Sequence, residues 1–131
     1  MKIEVSTGEI LDKLSILEIK LEHILDPVKR NNVLQEYVIL VAAAEEIYDA
    51  TLETEELRVL YLDLLNINKT LWNIEDQIRE CERDESFGSD FIELARSVYY
   101  TNDDRAEVKK QINALTGSKL VEEKSYQDYQ N

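Results

Sequence analysis

Apolar residues recur in steps of three and four along residues 57–81, and this repeat is the strongest structural signal in the chain. The positions are Leu57, Leu60, Leu64, Ile67, Leu71, Ile74, Ile78 and Cys81. A 3.5-residue repeat held over several heptads is typical of a long helix that packs against partner helices along its length. We therefore expect a coiled-coil-like helix over residues 54–83, with Thr54 as its cap.

Two more long helices are predicted before this one. Ser6 and Glu9 form a capping box at the start of the first helix. Asp26 and Pro27 end the first helix and suit the first turn of a second helix over residues 27–50. The apolar stripes are Ile10, Leu14, Leu17, Leu21 and Ile24 in the first helix and Leu34, Tyr37, Val41, Ala44 and Tyr48 in the second.

The helices predicted after the third helix are shorter. Residues 86–89 (Ser-Phe-Gly-Ser) form the clearest break, and a short helix starts at Asp90. Residues 101–104 (Thr-Asn-Asp-Asp) resemble a new helix start, and Gly117 suits a helix end. The chain is therefore predicted to be a single all-α domain over residues 1–131. We expect an elongated antiparallel bundle of three long heptad-patterned helices and two shorter ones.

Composition supports an all-helical chain and restricts its partners. Three glycines and one proline in 131 residues are too few for the frequent turns of a β-sandwich. Of the net charge of −13, all lies in residues 1–95, with 9 Lys and Arg against 22 Asp and Glu, whereas residues 96–131 hold six of each. We divide the chain into an acidic body of long helices, residues 1–85, and a more balanced C-terminal part, residues 86–131. An acidic body repels nucleic acids and anionic lipid, so we expect neither as a partner.

The sequence gives no sign of secretion or of membrane insertion. We expect no signal peptide, because no basic segment is followed by an apolar run, and no membrane span, because no stretch of about 18 apolar residues occurs. Cys81 is the single cysteine, which excludes an intrachain disulfide. We therefore expect a cytoplasmic protein. We also expect a homodimer, because the third helix is too long and too broadly apolar for one small domain to cover.

One pattern of carboxylates raises the possibility of an enzyme. Glu45, Glu46 and Asp49 resemble the Glu-Glu-x-x-Glu element with which all-α nucleotide pyrophosphohydrolases bind Mg²⁺. The expected second element, Glu-x-x-Asp, is missing, because Glu75 and Asp76 are adjacent. A solvated acidic face is the simpler interpretation, and a Mg²⁺-dependent nucleotide hydrolase is the alternative. We therefore expect no catalytic residue, no metal site and no cofactor.

Cations, amides and phenols are concentrated in the C-terminal part of the chain. Arg105, Lys109 and Asn113 recur at four-residue spacing on the last helix, so they share one face. The candidate binding residues are Arg96, Asn102, Arg105, Lys109, Asn113, Lys124 and Tyr126. Such groups can hold an anionic or glycosyl ligand, or the carboxylates of a protein partner. Alternatively, the cations pair with the acidic residues at 103–104 and 122–123, or dock this segment onto the acidic body.

Both ends of the chain resemble a known family. Residues 1–21 (MKIEVSTGEILDKLSILEIKL) and the run from Arg96 (RSVYYTNDDRA), through Ile112-Asn113, to residues 122–126 (EEKSY) are similar to small bacterial and phage all-helical proteins catalogued only as a domain of unknown function. The resemblance implies a helical fold and an association with sugar-transfer or surface-polysaccharide systems. It supplies no catalytic residues. We therefore expect a binding or scaffold protein rather than an enzyme.

Overall fold

A computed structural model describes residues 1–130 and contains, over that range, four α-helices and no strand. The helices are α1 (Thr7–His23), α2 (Pro27–Asp49), α3 (Thr54–Arg83) and α4 (Ser89–Thr116). They pack together as a helical bundle, so the prediction of an all-α fold is confirmed.

The ends of the helices follow local chemistry. The Ser6 hydroxyl accepts a hydrogen bond from the Glu9 backbone N–H at 3.1 Å, and the Asp26 carboxylate accepts one from the Lys29 N–H at 3.0 Å. Gly117 ends α4 in the left-handed conformation, with φ 66°, which a side chain would disfavour. Ser6, Asp26 and Gly117 are thereby confirmed as end signals. The reciprocal half of the predicted capping box is not observed within residues 1–130, because the Glu9 carboxylate contacts Lys109.

The start of α3 differs from the prediction by one residue. Thr54 is the first residue of the helix, and its N-cap is Glu53, which makes no side-chain capping hydrogen bond. Glu55 and Glu56 lie in the first turn, where carboxylates favour the helix dipole. The start of this helix is therefore stabilised by charge rather than by a capping hydroxyl.

The prediction of two short C-terminal helices is wrong. Residues 89–116 form one continuous helix of 28 residues, and the cluster at 101–104 lies in its interior. No glycine or proline interrupts this stretch, and α4 packs extensively along α3. A continuous helix preserves that packing, which outweighs the local preference of Thr, Asn and Asp for helix starts.

A continuous heptad seam on α3 is not supported. Of its eight positions only Leu57, Leu64 and Ile74 are buried, and the other five are half-buried. Asn68 is buried on the same helix. The reason is that α3 packs against two helices, α1 and α4, and not against one partner along its whole length.

The short helix α1 lies at the centre of the bundle, where it packs against α2, α3 and α4. Its contacts show that it runs antiparallel to α4 and parallel to α3. The core cluster consists of Leu11, Leu14, Ala44, Leu57, Leu64 and Ile112. The helix α2 packs chiefly on α1 and is therefore an outer helix. None of the helices within residues 1–130 combines the length and apolar character needed to cross a bilayer.

Candidate functional site

A buried carboxylate on α1 organises the polar centre of the bundle. Asp12 is 1% exposed, and its Oδ1 accepts hydrogen bonds from Arg105 Nε and Asn68 Nδ2, both at 2.9 Å. Its Oδ2 accepts a second hydrogen bond from Arg105, through Nη2. Ser15 Oγ lies 2.7 Å from the same Asn68 nitrogen. The bidentate pair of Asp12 and Arg105 fixes the plane of the Arg105 guanidinium.

Lys109 forms the second part of this network. Its Nζ contacts Glu9 Oε2 at 2.7 Å, Glu122 Oε2 at 3.1 Å and Asp12 Oδ2 at 3.7 Å. Burial lowers the pKa of Lys109, but the hydrogen bond to Glu9 and the charges around it outweigh burial and raise the pKa overall. The pKa of Arg105 is also raised, mainly by its hydrogen bonds to Asp12. Both side chains are therefore held as cations.

Close contact between α1 and α4 completes the network. Asn113 Oδ1 accepts hydrogen bonds from the Gly8 backbone N–H at 2.7 Å and from the Thr7 hydroxyl at 3.3 Å. A Cβ atom at Gly8 would lie 2.7 Å from the Lys109 carbonyl oxygen and 2.8 Å from Asn113 Oδ1. Only glycine allows the two helices to approach this closely.

Two members of the network, Asn68 and Arg105, also line a groove. The groove has a volume of about 570 Å³ and lies between α1, α3 and α4. Its lining residues are Ile16, Ile19, Asn68, Leu71, Trp72, Glu75, Asp76, Arg79, Asn102 and Arg105. Isoleucine and leucine side chains give it an apolar wall, and carboxylates, amides and guanidinium groups stand around that wall. This combination is typical of a small-molecule site.

Several side chains of the groove are oriented by contacts with neighbouring residues. Within residues 1–130, Arg105 uses Nε and Nη2 on Asp12, whereas Nη1 has no hydrogen-bond partner. The Trp72 ring stacks on His23, with centroids 5.0 Å apart and an interplanar angle of 24°. Arg79 pairs with Glu75 one turn away. Arg105 and Trp72, two lining residues of the groove, are thus held by their contacts to Asp12 and His23.

The seven predicted site residues fall into two groups. Arg105, Lys109 and Asn113 meet the first half of α1, and Asn102 lies in the groove beside Arg105. The others lie apart: Arg96 is exposed, 3.5 Å from the Tyr100 hydroxyl, while Lys124 lies 5.7 Å from the ring of Tyr126 in the extended C-terminal segment. No hydrogen bond or ion pair in the described chain joins these three to the network.

Of the two structural alternatives for the cations, docking onto the acidic body is observed, because Arg105 and Lys109 pair with Asp12 and Glu9 of α1. Pairing within the C-terminal part is observed once, between Lys109 and Glu122. Asp12, Ser15 and Asn68 were not predicted. The burial of Asn68 could have been predicted from the sequence, because Asn68 follows Leu64 by four residues and so occupies the apolar stripe of α3.

The carboxylates of the hydrolase alternative lie elsewhere. Glu45 and Asp49 line a shallow groove of about 360 Å³ between α1 and α2, together with Tyr48. Glu46 is not among its lining residues. Across residues 1–130, no three His, Cys, Asp or Glu side chains are grouped so that they could hold a metal ion. The geometry therefore adds no support to this alternative.

A second, larger groove carries fewer kinds of functional group. It has a volume of about 690 Å³, lies between the start of α3 and the end of α4, and is lined mainly by Val59, Leu60, Ala114 and Leu115. Its polar members are Glu55, Glu56 and Gln111. It contains neither a cation nor an aromatic ring, so volume alone does not identify the functional site.

Comparison with known proteins gives a family without an activity. Neither functionally described proteins nor solved structures yield a match to this chain. The model of a family of unknown function, DUF6165, matches residues 1–130. This span includes all four helices and the whole of the Asp12 network. The chain therefore belongs to the family of unknown function DUF6165.

Proposed function

We propose that this protein is a non-enzymatic binding protein, accessory to a sugar-transfer or surface-polysaccharide system, and that it holds a glycosyl ligand in the groove of Trp72 and Arg105. One observation carries the proposal. Asp12 is buried and holds Arg105 and Asn68, two lining residues of the groove, while Arg105 Nη1 has no hydrogen-bond partner within residues 1–130. A site organised before its ligand arrives binds at a lower entropic cost.

The chemistry of the groove suits a polyhydroxylated ligand. Sugar hydroxyls both donate and accept hydrogen bonds, and the groove offers acceptors (Glu75 and Asp76) as well as donors (Asn102 and Arg105). The indole of Trp72 provides an apolar surface for the C–H face of a sugar ring. Because Asp12 offsets the charge of Arg105, and Glu75 and Asp76 are nearby, we expect a neutral or singly anionic glycosyl ligand to bind better than a polyphosphate.

The proposal includes a cytoplasmic homodimer. Self-association is suggested by the length of α3, whose 30 residues span about 45 Å. α1, with 17 residues, spans only about 26 Å of it. The helix α3 therefore extends beyond α1, and its last turns lie beside the first turns of α4.

A thermal-shift screen tests the binding function. The panel contains monosaccharides, sugar phosphates, nucleotide sugars and nucleotides at millimolar concentration. We expect a glycosyl compound to raise Tm in the wild type and to lose this effect in Asn102→Ala, which alters the groove without removing an ion pair. Gln111→Ala, in the larger groove, is the matched control and should retain the shift. A panel without any hit, or a hit retained by Asn102→Ala and lost by Gln111→Ala, would contradict the proposal.

The hydrolase alternative has a separate readout. Nucleotides are incubated with the protein and Mg²⁺, and release of pyrophosphate or phosphate is followed. We expect no turnover. Turnover that disappears in Glu46→Gln would replace the binding function with catalysis at the carboxylates of α2.

A further inference from the structure

The floor of the larger groove is an apolar surface formed by α3 and α4. It consists of Val59 and Leu60 of α3 and of Ala114 and Leu115 of α4. Leu60 and Leu115 are half-buried and pack against the core cluster, whereas Val59 is 57% exposed. All lining residues of this groove lie on these two helices, so neither α1 nor α2 contributes to it. The floor is therefore a part of the core that extends to the surface.

The rim of the larger groove is acidic. Glu55 and Glu56 line it, and Glu107 accepts a hydrogen bond from the lining residue Gln111, with 3.3 Å between Nε2 and Oε1. Arg58 pairs with Glu55 at 3.2 Å, but within residues 1–130 neither Glu56 nor Glu107 takes part in an ion pair. No lysine or arginine is among the lining residues. Glu56 and Glu107 are therefore available to a cation that comes from outside.

The surroundings of the rim carry the same sign of charge. Asp63 follows Val59 by four residues, and Asp104 precedes Gln111 by seven. Helical spacing therefore places both aspartates along the continuation of the groove. Lys110 is the neighbour of Gln111 in sequence, but it lies about 100° away around the helix and is not a lining residue. The chain has a net charge of −13, so the rim repels a second copy and fits a basic occupant instead.

We propose that the larger groove binds an amphipathic helix of a different protein, with its apolar stripe on the floor and its flanking lysines or arginines paired with Glu56 and Glu107. The start of α3 lies beside the end of α4 along the groove, so the two helices are antiparallel there. The groove between two such helices accepts side chains of a third helix that recur in steps of three and four. Burial of the floor supplies affinity, and the acidic rim supplies specificity for a basic helix.

The inference goes beyond the proposed glycosyl site and is independent of it. The two grooves share no lining residue. The larger groove also suits sugar hydroxyls less well, because the side-chain amide of Gln111 already donates to Glu107. Substitutions in one groove leave the other intact. Loss of peptide binding with the glycosyl thermal shift retained, or the reverse, therefore separates the two proposals.

Fluorescence anisotropy with a designed peptide tests the groove. The probe is a labelled helical peptide of leucine and lysine whose leucines recur in steps of three and four, and the control peptide has the same composition in an order without an apolar stripe. At physiological ionic strength, charges farther apart than about 8 Å are largely screened. We expect the protein to bind the amphipathic peptide at least about tenfold more tightly than the control peptide. Equal binding of the two peptides, or no binding of either, overturns the proposal.

Matched variants test whether the peptide lies in the groove. Val59→Asn removes an exposed apolar side chain from the floor, and we expect it to weaken binding about tenfold with unchanged helicity. Val38→Asn is the control, because Val38 is an exposed valine of α2, 66% exposed, outside the groove. Glu56→Gln should weaken binding more than Glu46→Gln, which removes an exposed carboxylate of α2. Equal effects within each pair of variants would show that the peptide binds elsewhere.

Light scattering coupled to gel filtration distinguishes a different protein from a second copy as the occupant. Without peptide, we expect the wild type and Val59→Asn to have the same mass, because no copy of this chain occupies the groove. The contrary result is a wild type with twice the chain mass of 15.3 kDa that becomes a single chain in Val59→Asn but not in Val38→Asn. That result would identify a second copy as the occupant and contradict the proposal.

Discussion

At the scale of single residues, Asp12 determines the geometry of the polar centre. A carboxylate that is 1% exposed requires compensating charge and hydrogen bonds, since burial of an unpaired charge costs several kcal/mol. Arg105, Lys109 and Asn68 supply them. Such a network adds little to stability compared with an apolar core, but loss of one member is costly. Asp12 is thus a positioning residue for the groove.

Removal of the Arg105 charge should destabilise the fold. Arg105→Met keeps much of the side-chain volume but takes the bidentate partner from Asp12, so we expect a loss of about 3 kcal/mol. Arg96→Met is the matched control on the same helix, where the arginine is exposed, and should change stability by less than about 0.5 kcal/mol. Urea denaturation measures both, and equal effects would contradict a role for the Asp12–Arg105 pair.

Lys109 should make stability sensitive to alkaline pH. Its folded pKa is raised above the ordinary value of 10.5, so its contribution is complete below the unfolded pKa and is lost as pH rises through the folded pKa. We expect the free energy of unfolding to fall above about pH 10.5 more steeply in the wild type than in Lys109→Met. Both proteins contain the same tyrosines, so the difference between their free energies of unfolding removes the contribution of tyrosine titration. Parallel curves would show that Lys109 gains nothing from Glu9, Asp12 and Glu122.

At the scale of helices, the close contact between α1 and α4 depends on Gly8, which has no side chain. The Gly8 N–H lies 2.7 Å from Asn113 Oδ1, and the backbone of α4 lies against the same position. Any Cβ there must push the helices apart. Because Arg105 and Asp12 lie on these two helices, their separation would also alter the groove.

Gly8→Ser should therefore destabilise the protein by about 1 to 3 kcal/mol, the usual cost of overpacking. Gly88→Ser introduces the same side chain at the N-cap of α4, where nothing lies within 4 Å of the added Cβ and serine is a favoured cap. We expect this control to be neutral or slightly stabilising. Thermal denaturation compares the two variants, and a neutral Gly8→Ser would refute the close-contact argument.

The helices and their ends could be predicted from sequence wherever the cause is local. Ser6, Asp26 and Gly117 act on the backbone of their own helix, so short patterns reveal them. The cluster at 101–104 misled for the opposite reason, because packing on α3 decides its conformation. Of the predicted binding residues, Arg105 and Asn102 line the candidate groove. Asp12 and Asn68 were not predicted, because they join the network through contacts between residues that are 93 and 56 positions apart in sequence. A periodicity on one helix cannot reveal the residue that faces it on another.

At the scale of the whole molecule, α1 connects the parts of the bundle. It packs against α2 and also carries Asp12 and two lining residues of the groove, Ile16 and Ile19. The long helices α3 and α4 form the walls. The proposed ligand groove is thus built from α1, α3 and α4, and α2 lies outside it.

The NMR signal of the Trp72 indole N–H tests the central claim most directly. Trp72 is the single tryptophan, so its indole gives one cross-peak, and it lines the groove beside Asn68 and Arg105. On titration with a glycosyl ligand that raises Tm, we predict a saturable shift of this peak and of the Asn68 and Asn102 side-chain amides. The claim is contradicted if the ligand leaves these peaks in place and shifts resonances elsewhere, such as those of Val59 and Leu115 in the larger groove.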